Sequence, residues 1–441
     1  MDDAHIESLY PENSRFLEIE NLLKFIKEGS SVQLIGAPGV GRSNFLKFLC
    51  YNSKLKKHHL KEAADKYHFV LVNFSEIKNR DVFDSLKFIF LELVSSLRER
   101  DMKEEFKITD EIFKEALSYQ DELVFFEGLK RAMDYLAYKR NLNVVFLFER
   151  FETYVLQLTD DFFTHLASFR DRAKYKFSVV FSTNRPLEDL IEAPIMSDFY
   201  EYFAGKNVFL SLSDKEGLNF RLSHLESLTE FKFSEELKKE LFVLTGGHSK
   251  LTRICLEVLL GQGKEEINKD FLLSQKIVNK ALEEIWDFLL PSEQSYLENL
   301  IKGKNDENLF LEQIGLVKTG KIAIPLFEEY IKKIEKIESV TKEIIVYDSA
   351  TNNIILGNDD ISERLTGLEF RLLRFLLENE GKLVERDQII NEVWRDNESV
   401  EGVTEAALDQ LIFRLRKKIE ENPNKPEHIK TVKGRGVRFR K

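Results

Sequence analysis

Two cysteines in 441 residues, Cys50 and Cys255, are too few and too far apart for a disulfide framework. Neither has a CxxC partner or a neighbouring His at zinc-binding spacing, so both read as reduced core residues. Eight prolines exclude collagen-like and proline-rich disordered classes. No apolar run reaches the roughly 18 residues that would suggest a membrane span. The opening MDDAHIESLY lacks the basic start and apolar stretch of a secretory signal. A cytoplasmic chain with no membrane partner is therefore expected. Positive charge is also short, with 65 Lys+Arg against 76 Asp+Glu and a net of −11. As a bulk value this argues against a nucleic-acid partner.

The distribution of that charge reverses the inference. Residues 404–441 hold 11 Lys/Arg and 5 Asp/Glu, so an acidic body ends in a basic tail. At about 150 residues per domain the length suggests roughly three domains. Short apolar runs at Val32–Ile35, Phe69–Phe74, Leu142–Phe148, Phe177–Ser182 and Val208–Leu210 alternate with helical patterns such as Val82–Leu97 and Glu122–Tyr138. That alternation predicts a mainly parallel sheet covered by helices. From about Ser213 the pattern is helical, broken at Thr245-Gly246-Gly247-His248. A helix opening at Pro291 and a hairpin over 317–324, turning at Gly320, suggest a winged helix. The last hundred residues read as strands, three helices and a closing hairpin, with Thr366 and Glu369 spaced as a capping box.

Between the first apolar run and its helix lies Gly36-Ala37-Pro38-Gly39-Val40-Gly41-Arg42-Ser43-Asn44. Glycines spaced this way let backbone N–H groups wrap phosphate oxygens at a helix N-terminus. The cation after the last glycine, Arg42, would reach the terminal phosphates, and the Ser43 hydroxyl would bind Mg²⁺. Arg42 stands where this motif carries Lys; its planar fork is larger than an ammonium. Nucleotide binding is expected to survive that change and hydrolysis to suffer. The run Val144–Phe148 ends in Glu149, a candidate Mg²⁺ and catalytic carboxylate. Arg150 follows where a catalytic Glu is usual. Glu152 would substitute only if the strand end bends; otherwise both acids are solvated charges.

Residues from about 15 to 335 resemble the AAA-type ATPases of the STAND and archaeal-ATPase group. The phosphate loop, the strand end FLFERFE, the polar Ser182-Thr183-Asn184-Arg185 and the sequence Thr245-Gly246-Gly247-His248-Ser249 follow in that group's order. The resemblance implies bound ATP or ADP with Mg²⁺, Asn184 as a sensor, His248 reaching the nucleotide from a helical lid, and a winged helix after the lid.

In the tail, TEAALDQLIFRLRKK places Leu408, Leu411, Ile412 and Leu415 on one helical face, with Gln410, Arg414, Lys417 and Lys418 mostly elsewhere. Such a helix suits the major groove, or else is a solvated surface helix. Residues 342–441 resemble the OmpR-type winged-helix domain of response regulators through LTGLEFRLLRFLLENEGKLVERDQIINEVW, LDQLIFRLRKKIE and IKTVKGRGVRF. The likeness implies a recognition helix from Thr404 to Glu420 and a wing at Lys433–Arg438. Lys430, Thr431, Lys433, Arg435 and Arg438 would lie on phosphates, and Gln410 and Arg414 on bases. Ala406, Ala407 and Val437 depart from the family's usual residues.

The expected fold is thus α/β and α+β multidomain: a P-loop NTPase parallel sheet (1–212), a helical lid (213–265) and two winged-helix domains (266–338 and 339–441). The expected function is a transcriptional regulator in which nucleotide state or homo-oligomerisation controls binding to double-stranded DNA. Two other readings stand beside it. One is an active ATPase that remodels DNA or loads another machine, and the other is a defence-type sensor whose winged helices contact a protein partner.

Overall fold

The computed structural model describes residues 5–228, 232–261, 267–304, 307–340, 345–349, 351–356, 359–395, 405–420, 422–432 and 435–440. Thr404, Lys433 and the turn residue Gly434 lie outside them. The chain divides into two compact units, Met1–Leu289 with Asn299–Glu328, and Leu290–Glu298 with Glu329–Lys441.

In the first unit, five parallel strands, β1 (Val32–Ile35), β2 (Tyr67–Asn73), β3 (Asn143–Glu149), β4 (Phe177–Thr183) and β5 (Asn207–Phe209), lie in the order β2-β3-β4-β1-β5. Parallel strands covered on both faces read as continuous apolar runs, which is why these segments stand out in the sequence. Every residue of β4 is buried. The runs are slightly displaced from expectation: Phe74 belongs to the turn after β2, and Glu149 is the last residue of β3. The helix expected over 122–138 ends at Asp134 and closes in a wide π turn, Tyr135–Lys139. A further helix, Lys103–Ser118, has no counterpart in the sequence expectations; Gly128 of the next helix lets it approach to van der Waals contact at Ala116.

Register brings the strand ends to one edge. Ile35 pairs with Thr183, Phe148 with Phe181, and Asn73 with Glu149. Beyond β3 the chain bends sharply, with Arg150 in the left-handed region (φ 54°) opening the short turn Phe151–Thr153. Packing fixes the bend. Phe74 meets Phe148 at 4.8 Å and Phe151 at 4.9 Å, both edge-on, and each such pair contributes about 0.5–1.5 kcal/mol. The buried Tyr154 donates its hydroxyl to the Asp81 carbonyl at 2.7 Å, and the Asp81 side chain caps the helix Val82–Glu99.

After β5 come the helices Lys215–Leu228, Glu235–Leu244 and Ser249–Gly261. Gly246 and Gly247 both have positive φ (59° and 72°) and stop the second of these. The Gly247 N–H bonds back to the Phe242 carbonyl, and a Cβ on Gly246 would overlap the Ala323 carbonyl oxygen. The hairpin β6 (Val317–Lys318) and β7 (Lys321–Ile322) turns through Thr319 and Gly320, both at positive φ, as a two-residue primed turn requires.

The second unit contains the antiparallel sheet β8 (Ile345–Asp348), β9 (Asn353–Leu356) and β10 (Asp359–Asp360). The helices Gly367–Glu378, Arg386–Val393 and Glu405–Ile419 follow. They meet a three-stranded sheet ordered β11-β13-β12, where β11 is Leu383–Val384, β12 is Ile429–Val432 and β13 is Gly436–Phe439. One core joins Leu372, Leu376, Ile389, Leu408, Leu411, Leu415, Val437 and Phe439. The Thr366–Glu369 capping box forms as the spacing predicts, and a second box, Glu385 with Gln388, opens the next helix.

Candidate functional site

The phosphate loop leaves β1 at Gly36 and enters the helix Arg42–Tyr51, with Gly39 and Gly41 at φ 81° and 100°. The first i→i−4 bond of this helix runs from Phe45 to Gly41, so the N–H groups of Arg42, Ser43 and Asn44 precede the hydrogen-bonded ladder. The carbonyls on the loop's other side are occupied. His248 Nε2 donates to the Pro38 oxygen at 2.8 Å, the Lys250 N–H to Gly39 at 3.0 Å, and the Ser249 hydroxyl to Val40 at 3.3 Å. Arg15, buried and itself in the left-handed region, reaches the same Val40 oxygen at 2.8 Å. Its guanidinium also bonds the Ser211 carbonyl at 2.7 Å and Glu18 at 3.1 Å.

His248 thus holds the loop at Pro38, with its ring against Gly39. Its Nδ1 accepts the Leu251 N–H, so both ring nitrogens are engaged, and the ring is neutral. Burial lowers its pKa to about 4, against the opposing pull of the Pro38 bond. Arg42 Nη2 lies 2.6 Å from Glu152 Oε1, with both side chains largely buried, because the bend at Arg150 swings Glu152 back toward the loop. Arg42 Nη1, Glu152 Oε2 and Asn184 Oδ1 are buried with no hydrogen-bond partner. Glu149, 6% exposed, has the Arg150 guanidinium at 3.8 Å.

These groups suit a phosphate-bearing ligand: glycines at positive φ, unladdered N–H groups, and a half-used guanidinium fork. Among the described residues no cluster of three or more His, Cys, Asp and Glu forms. Ser43, at the start of the helix after the loop, and the buried Glu149, at the end of β3, are the residues that could hold a Mg²⁺ here. Sequence reading missed Arg15, Ser211 and Asp214, which no local motif marks. It also missed a cleft lined by Tyr10, Asn44, Phe48, Leu218 and Arg221 beside the loop.

In the second unit the helix Glu405–Ile419 presents Gln410, Arg414 and Lys417 to solvent, together with Phe413, which the sequence reading passed over. Lys418 points elsewhere: its ammonium bonds Glu369 at 2.6 Å and the Arg364 carbonyl at 2.7 Å. Thr431 accepts from Arg416 at 2.7 Å, which ties the helix to β12. Lys430 and Arg435 are exposed and Arg438 is half-buried. Lys430 pairs directly across the hairpin from Arg438, a like-charge juxtaposition that is unfavourable without an anion between them. Glu420 is buried and accepts the backbone N–H groups of Glu427, His428 and Ile429, fixing the approach to β12.

Residues 361–439 match the family described as transcriptional regulatory protein, C terminal. The KDP operon transcriptional regulatory protein KdpE of Escherichia coli is 38% identical over 95 residues, which are 22% of this chain and 40% of that protein. This chain thus spans less than half the length of that relative. Among solved structures, the RstA DNA-binding domain of Klebsiella pneumoniae in complex with the RstA box is 28% identical over 22% of this chain and 97% of its own, with a TM-score of 0.19. The Walker-type ATPase of Pyrococcus abyssi aligns over 78% of this chain and 93% of its own, at 17% identity and a TM-score of 0.42. The chain thus carries a five-stranded parallel sheet with a glycine-rich loop after its first strand and, toward its C-terminus, a domain of three helices and a closing hairpin whose residues 361–439 match the family described as transcriptional regulatory protein, C terminal.

Proposed function

We propose that this chain is a nucleotide-binding transcriptional regulator, in which ATP or ADP held at the phosphate loop controls double-stranded DNA binding by the C-terminal winged helix. The carrying observation is the loop itself. Its carbonyls at Pro38, Gly39 and Val40 are bound by residues 248–250 of the helical segment, so a ligand that moves the loop also moves that segment. Bound nucleotide would supply polyphosphate charge. Arg42 would hold it, the N–H groups at the helix start would orient it, Ser43 and Glu149 would carry its Mg²⁺, and Asn184 would report on it. Engagement of Glu152 by Arg42, and an arginine after Glu149, favour binding over turnover. On this reading the protein is a STAND-type switch, cytoplasmic, with domains at 1–212, 213–265, 266–338 and 339–441. Homo-oligomerisation or a protein partner would act on the nucleotide module.

On the DNA side, Gln410 and Arg414 read bases while Lys417, Lys430, Arg435 and Arg438 neutralise phosphates. Lys418 and Thr431, both engaged internally, position the helix and β12. Duplex binding by the full chain in its apo, ADP-bound and non-hydrolysable-ATP-bound states tests the proposal. A difference among the three is expected; equal affinities would remove nucleotide control while leaving DNA binding in place.

A further inference from the structure

The helix Glu405–Ile419 buries Leu408, Leu411, Ile412, Leu415 and Ile419, yet leaves the Phe413 ring 41% exposed. A single exposed aromatic is unremarkable by itself. Here its setting is specific. Helical spacing puts it on one strip with Gln410, Arg414 and Lys417, and the Lys417 ammonium lies 5.2 Å from the ring centroid. The strip therefore offers an amide, two cations and one apolar surface within two turns. Its complement must present anions, base-edge donors and acceptors, and an apolar spot at close quarters. The major groove has that combination, and its apolar spot is the thymine 5-methyl group. A symmetric contact with a second copy fits poorly, because it would bring Arg414 and Lys417 against their own equivalents.

We infer that Phe413 is a specificity-determining residue that packs on a thymine methyl in the bound site. The inference rests on the DNA-binding reading above and adds to it a named base contact. The test uses the full chain and a duplex enriched from a random-core library, resynthesised with each thymine in turn replaced by deoxyuridine. At one or two positions, loss of the methyl should weaken wild-type binding about fourfold, the effect of one buried carbon. Phe413→Ala should bind the thymine and uracil duplexes equally, with an unchanged salt slope. Phe413→Leu, which keeps an apolar contact, should retain the discrimination. The inference is overturned if no thymine shows a methyl effect, if Phe413→Ala keeps it, or if sedimentation shows the substitution breaking a dimer. Failure of the wild type to bind any duplex at low salt is a separate outcome: it would overturn the DNA-binding reading itself, and the methyl contact with it.

Discussion

Removing the negative charge of Glu152 should tighten nucleotide binding. Arg42 and Glu152 meet at 2.6 Å with side chains 13% and 16% exposed, so any phosphate that recruits the guanidinium must displace the carboxylate or share Arg42 with it. Hydrogen bonds to charged groups contribute about 1.5–3 kcal/mol, and neutral ones about half as much. Glu152→Gln keeps the shape and removes about 1 kcal/mol of competition, equivalent to about fivefold in affinity. The pair is also monodentate, with Arg42 Nη1 and Glu152 Oε2 each buried and unpartnered, so half the fork is available to an incoming oxygen. Equilibrium titration with a fluorescent ATP analogue, without Mg²⁺ so that metal ligation does not intervene, measures the effect. Unchanged or weaker binding by Glu152→Gln would refute the competition and make Glu152 a ligand-side residue.

Other outcomes follow from the same geometry. His248 has its pKa lowered to about 4, so the unfolded chain binds a proton more readily, and the stability it contributes is complete above about pH 6.5 and is lost on acidification toward pH 4. By pH 5 the loss should reach about 2 kcal/mol, seen as a denaturation-midpoint shift in wild type that His248→Asn lacks. Lys418→Ala leaves the buried Glu369 without its ion partner and should cost about 1–3 kcal/mol of stability, while the salt slope of DNA binding stays as in wild type. Arg435→Ala should do the reverse, reducing the log–log salt slope by about 0.9 with little change in melting temperature. Gly246→Ala, with its Cβ driven into the Ala323 carbonyl, should destabilise by about 1–3 kcal/mol, whereas Gly261→Ala meets nothing within 4 Å and should not.

What could be read without coordinates was what depends on near neighbours in the chain. The β4 run is legible because a strand buried on both faces has no polar alternation to hide it. The Thr366–Glu369 box is legible because both partners lie within one turn. The phosphate loop announces itself through glycines that must adopt positive φ. Arg15, Glu152 and His248 act across 25, 110 and 210 residues of sequence, and no local pattern encodes those meetings. Arg42 looked like an altered phosphate ligand; that it has a carboxylate partner depends on the left-handed turn at Arg150. Lys418 carried the charge expected of a phosphate contact, but its place at the end of the helix sets it over the buried Glu369.

The ring of contacts around Val40 bears on how this protein should be cut for expression. Arg15, Ser211, Asp214 and Ser249 come from three widely separated stretches, and all converge on the loop or on Arg15. A fragment stopping at residue 212, where the helical segment begins, would keep every glycine of the motif yet strip the carbonyls of Pro38 and Gly39 of their donors. Such a fragment would misreport affinity for reasons unrelated to the motif's residues. The shortest piece worth purifying starts before Tyr10 and runs through Glu328, so that the whole first compact unit, Ala323 against Gly246 included, is kept, and a tag belongs at the end farther from Arg15.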